Sequence, residues 1–164
     1  MKNIKIILFL FSIQSAWAQK EKFHSIFIYN FSKYVKWPDD LSSGKFVIGV
    51  FGSSSIKNDL EAMASTKKVN GLTIEVKQFN STSGIGECNI LYVSSSESGK
   101  IAEIIQATNN KPVLLVTDKP GLAKKGAAIN FVEQGGKVKF ELNQQNAESR
   151  GLKVSGSLSS LDII

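Results

Sequence analysis

Lys45-Phe-Val-Ile-Gly-Val-Phe-Gly52-Ser-Ser-Ser55-Ile-Lys-Asn-Asp-Leu60-Glu-Ala-Met-Ala-Ser65 decides the fold. Lys45 to Phe51 is a β-rich run and Gly52 to Ser55 a short loop. Ile56, Leu60, Met63 and Ala64 then fall on one face of a helix, with Ser54 or Ser55 as N-cap. The same strand, loop and helix alternation continues downstream. Leu72 to Phe79 sets Leu72, Ile74 and Val76 against Thr73, Glu75 and Lys77, which predicts a strand with one wet face near a sheet edge. Asn89 to Val93 and Pro112 to Val116 are continuous apolar strands. Between them Ser94-Ser95-Ser96 opens a helix reaching Thr108, buried through Ile101, Ile104 and Ile105. This alternation predicts an α/β class: a single three-layer-like domain with a mainly parallel sheet and flanking helices.

The ends of the chain complete the pattern. Ala127 to Val132 and Lys137 to Leu142 flank Glu133-Gln134-Gly135-Gly136 and predict an antiparallel C-terminal hairpin. Asn143 then caps a short helix over Gln144 to Arg150, closed by Gly151. Leu152, Val154, Leu158, Leu161 and Ile163 suffice to dock the tail as a final short helix. Lys20 to Lys36 reads as a helix whose stripe is Phe23, Phe27, Phe31 and Tyr34, widened by Ile28 and Val35 and ended by Trp37-Pro38.

Residues 1–18 read as an address. Two lysines, an apolar run over Ile6 to Ile13 and Ala16-Trp17-Ala18 form a secretory signal peptide cleaved after Ala18. The apolar run is far shorter than the roughly 18–20 residues that span a bilayer. The expected organisation is a signal peptide over 1–18 and one domain over 19–164, with a soluble, exported product. Losing Lys2 and Lys5 leaves 18 basic and 14 acidic side chains, so the formal charge falls from +6 to +4.

Composition excludes several functions. Among 164 residues, one cysteine excludes a disulfide framework and a Cys-based zinc site, and one histidine excludes a His-rich metal site. Cys88 reads as a buried small hydrophobe rather than a reactive thiol. His24 reads as a surface or capping residue, and a hydrolase built on it would lack the G-x-S-x-G elbow. The lysines come in runs of no more than two, which favours solvated faces, membrane surface or acidic partners over nucleic acid. No cofactor, metal ligand set or catalytic residue is expected.

Two binding surfaces remain. The first is the aromatic helix, Phe23, Phe27, Phe31, Tyr34 and Trp37, whose stripe is either core, the usual role of such a stripe, or a partner surface, together with the hairpin. The second is the set of loops at the carboxyl ends of the parallel strands, with Gly52, Ser53, Ser54, Ser94, Ser95, Thr117 and Asp118 as candidate ligand residues. The Gly52–Ser55 loop could hold an anion at a helix start or simply be a well-capped turn. In the hairpin, Asn130 shares a face with Ala128 and Val132, and its amide would need structural partners if buried.

Several segments occur together in a known order. They are Phe27-Ile-Tyr-Asn-Phe-Ser-Lys-Tyr-Val-Lys-Trp-Pro38, Phe46-Val-Ile-Gly-Val-Phe-Gly52 and Cys88-Asn-Ile-Leu-Tyr-Val93. Gly126-Ala-Ala-Ile-Asn130-Phe131-Val132, Lys139-Phe140-Glu141-Leu-Asn143 and Gly151-Leu-Lys-Val-Ser155 follow. The set resembles the YfiR-like periplasmic proteins over nearly the whole mature chain. The resemblance implies an exported regulator, not an enzyme. Its partner would be a membrane sensor protein, either a diguanylate cyclase held inactive or a histidine kinase, with a homodimer as a further expectation. The output for the cyclase case would be cyclic di-GMP signalling and biofilm formation. A lone Cys88 does not support the internal disulfide of some relatives. The alternative function is a periplasmic small-ligand receptor using the strand-end loops.

Overall fold

A computed structural model describes residues 4–38 and 44–159, with side chains described for 19–38 and 44–158. The side chains of the expected signal peptide, and Leu161 and Ile163 of the tail, lie outside the described residues. The elements are α1 (Ile4–Tyr34), β1 (Val35–Lys36), β2 (Lys45–Phe51), α2 (Ile56–Ala64), β3 (Lys68–Val69), β4 (Leu72–Phe79) and β5 (Ile90–Val93). After them come α3 (Ile101–Ala107), β6 (Leu114–Thr117), β7 (Ile129–Gln134), β8 (Lys137–Leu142), α4 (Gln144–Glu148), β9 (Lys153–Val154) and α5 (Gly156–Ser159). Among the described residues, no helix is long and apolar enough to cross a membrane.

Seven strands form one sheet in the order β3-β4-β2-β5-β6-β7-β8. The five central strands are parallel, and β3 and β8 close the edges antiparallel. The fold is therefore the expected mainly parallel α/β sheet with a C-terminal hairpin. The period-two alternation assigns the layers. Ile48, Val50, Ile90, Tyr92, Leu114, Val116, Ile129 and Phe131 face one core with Ile28, Phe31, Ile56 and Leu60 of α1 and α2. Phe51, Leu91, Val93 and Leu115 face a second core with Ile101 and Ile104 of α3. β5 and β6 are buried along their whole length, which explains their unbroken apolar sequence. Cys88 is a buried free thiol in the second core, as the small-hydrophobe reading expects, and burial pushes it up to about 12.

Several boundaries differ from expectation. The N-terminal helix ends at Tyr34, and Val35 and Lys36 instead pair with Val154 and Lys153 of the tail. The helix over 94–108 is divided: Ser95–Lys100 is a 3-10 segment and only Ile101–Ala107 is α-helical. Ser94 and Ser96 hydroxyls lie 2.8 Å apart, a local bond of the kind that draws serines away from helix interiors. The hairpin turn contains only Gly135 and Gly136, at φ of 59° and 71°, so Glu133 and Gln134 extend β7 against Val138 and Lys137.

Candidate functional site

The central strands end in register. Phe51 aligns with Val93, Val93 with Thr117 and Thr117 with Asn130, so Gly52, Ser94 and Asp118 leave the sheet at one edge. From β2 the chain turns to α2 on one face, and from β5 to α3 on the other. Connections that diverge from adjacent strands leave a crevice between them. A cleft of about 630 Å³ occupies this place, lined by Ser53–Ser55, Tyr92, Ser94–Ser96, Asp118, Lys119 and Pro120. Lys20, Glu21 and His24 complete the lining from α1.

The expected loop residues divide. Ser53, Ser54, Ser94, Ser95 and Asp118 line the cleft. Gly52 is buried beside it at φ +80°, where a Cβ would meet the Glu97 side chain at 2.5 Å. Thr117 is fully buried and points away, donating to Asn130 Oδ1 at 2.8 Å. Neither serine caps α2: Ser55 occupies the N-cap without a side-chain bond there. Ser54 and Ser55 instead donate to the two carboxylate oxygens of Glu21. The hydroxyls of this loop thus hold a carboxylate from α1.

His24 corrects the expectation of a surface or capping histidine. It is 1 % exposed and stacks on Phe131, with ring centroids 4.0 Å apart and planes 3° apart. The physical reason is a rotation of α1. The face turned inward runs through His24, Ile28 and Phe31, at steps of four and three, so Phe23 falls to the outside. His24 Nδ1 lies 3.4 Å from the Tyr92 hydroxyl, which donates to Asp118 Oδ2 at 2.9 Å. His24 Nε2 and Asp118 Oδ1 are buried without partners. Burial, helped by the positive charge of Lys20, holds the histidine down at about 3, so the ring is neutral at pH 7. Burial raises Asp118 above the usual carboxylate range, against the Tyr92 bond, Lys20 and the Ser95 amide. Burial also pushes the Tyr92 phenol upward, with the Asp118 charge adding to it.

Sequence reasoning missed Tyr92, Lys20 and Glu21. Tyr92 carried a signal: it is the one polar-tipped side chain in the buried run Ile90 to Val93. The hairpin motif explains itself as support for the site. Asn130 accepts from Thr117 and donates to Glu141 Oε2 at 3.0 Å. Those partners lie on the flanking strands. Phe131 carries His24, and Phe140 meets Phe31 edge-on at 5.1 Å. Asn143 caps α4 by accepting from the Asn146 amide, as its position predicts.

A second cleft, of about 640 Å³, separates α1 from the hairpin tip and is lined by Gln19, Lys20, Phe23, Phe27, Glu133, Gly136, Lys137 and Val138. The aromatic stripe splits around it. Phe23 and its neighbour Ile26 are 44 % and 48 % exposed, whereas Phe31 is spent in the core. Tyr34 and Trp37 are half-buried, and the Trp37 indole donates to Asn89 O at 3.1 Å.

The profile of the YfiR/HmsC-like family matches residues 21–161, which takes in the C-terminal part of α1 and every later element. No curated protein matches the chain.

Proposed function

Because the chain belongs to the YfiR/HmsC-like family, we propose that it is an exported periplasmic regulator that binds a membrane-bound signalling protein and holds it inactive. The whole-chain family match carries this reading. A diguanylate cyclase is the first partner class, with cyclic di-GMP and biofilm formation as the output, and a sensor histidine kinase is the second. The partner surface is the outer side of α1 with the hairpin tip. Phe23 and Ile26 are the large apolar side chains exposed there, beside the cleft bordered by Glu133 and Lys137. Adjacent exposed apolar side chains rimmed by charge are the usual chemistry of a protein contact.

The test is affinity purification of the tagged protein from mildly solubilised membranes, paired with cyclic di-GMP measurement in a deletion strain. A membrane sensor should co-purify from the native protein and be depleted from Phe23→Ser/Ile26→Ser. Recovery of no sensor, with unchanged signalling in the deletion strain, overturns the reading.

A further inference from the structure

Two hydrogen-bond acceptors of residues lining the carboxyl-edge cleft, His24 Nε2 and Asp118 Oδ1, are buried with no hydrogen-bond partner in the protein. Tyr92 spends its proton on Asp118 Oδ2, so its oxygen can only accept from His24. That places the imidazole proton on Nδ1 and leaves a bare lone pair on Nε2. Asp118 Oδ1, the other unpartnered atom, is a carboxylate oxygen and also accepts. One such buried orphan costs about 1–3 kcal/mol, so the two atoms favour a donor, from water or from a ligand that displaces it.

The rim narrows the chemistry. An anion would set negative charge against the carboxylates of Asp118 and Glu21, which both line the cleft. A cation would be drawn to Asp118 but opposed by Lys20 and Lys119, which line the same cleft. An uncharged molecule bearing several hydroxyls meets neither obstacle. The exposed hydroxyls of Ser53 and Ser95 can each donate to or accept from it. We propose that this cleft binds a small uncharged polyhydroxyl compound, a polyol or a monosaccharide, through His24 Nε2 and Asp118 Oδ1. Glu21 accepts from Ser54 and Ser55 and so competes with the compound for those hydroxyls. This site is separate from the proposed partner surface, and its occupancy does not depend on that reading.

The experiment is isothermal titration of the purified protein with glycerol, myo-inositol and glucose, and with methylammonium and inorganic phosphate as the charged arms. At least one of the three uncharged probes should bind saturably. Asp118→Asn sets an amide donor where an acceptor stood and should weaken binding by about tenfold or more. Glu21→Gln removes the competing charge and should tighten it several-fold. Circular dichroism establishes that each variant is folded. Should Asp118→Asn not fold, Tyr92→Phe replaces it, since loss of the hydroxyl frees the His24 tautomer and should also weaken binding. Saturation by none of the uncharged probes, preferential binding of phosphate or methylammonium, or affinity unchanged by the folded variants overturns the proposal.

Discussion

His24 lies parallel to Phe131 inside the first core, and its neutrality is a condition of that packing. The unfolded chain takes up the histidine proton near 6.5, the folded chain only near 3. Between these values the unfolded state binds more protons, so the stability contributed by His24 is complete above pH 6.5 and is lost as pH falls toward 3. Asp118 acts in the opposite sense just above its unfolded value, because its folded form holds its proton longer. Urea unfolding at pH 7 and at pH 4.5 should show a loss in the native protein that shrinks in His24→Phe. An equal loss in both would remove His24 from the account. Gly49 makes a second residue-scale case. A Cβ there would stand 2.6 Å from Cys88 Sγ and 2.9 Å from Leu91 Cδ1. Gly49→Ala should cost about 1–3 kcal/mol by overpacking. Adding Cys88→Ala should recover part of that, a coupling of at least about 0.5 kcal/mol in a double-mutant cycle of urea midpoints.

At the scale of elements, α1 separates structural from partner-facing side chains along one helix. Phe31 is 1 % exposed and packs on Phe131 and Phe140, so Phe31→Ala should destabilise by about 3–5 kcal/mol in chemical denaturation. Ile26 is 48 % exposed, and Ile26→Ser should change stability by no more than about 0.5 kcal/mol. The contrast also marks how far sequence reasoning reached. Long patterned segments such as β2, β4 and α2 were readable because their own periodicity carries the information. The two-residue strands β1, β3 and β9 were not, since β1 and β9 exist only by pairing residues more than a hundred positions apart. His24 was misplaced because the more hydrophobic Phe23 drew the stripe toward itself, while the buried face is set by what the sheet presents to α1. The strand-end loops were anticipated by topology. Their partners on α1, Glu21 and His24, were not, because that contact depends on how the helix lies across the finished sheet.

For the whole molecule, the five parallel strands numbered by their own succession run 2-1-3-4-5 across the sheet, and the cleft opens at the reversal between the first and third. α1 lies across one face, with His24 at the carboxyl edge and Trp37 bonded to Asn89 at the amino edge. It is held there by chain from the far end of the sequence. Val35 pairs with Val154, the Ser155 amide donates to Tyr34 O at 2.8 Å, and Leu152 and Leu158 are each 1 % exposed in the same core. Ending the chain at Gly151 removes both leucines and the β1 partner together. Full burial of two leucines is worth about 3–6 kcal/mol. A domain of this size holds only about 5–15 kcal/mol in all. The truncated chain should therefore lose a large share of its stability, with α1 released first because its anchors are the ones removed. Limited proteolysis should cut within residues 19–38 much faster than in the intact chain, and Trp37 fluorescence should shift to that of an exposed indole. An unchanged urea midpoint and unchanged protection of that segment would show that the sheet holds α1 without the tail.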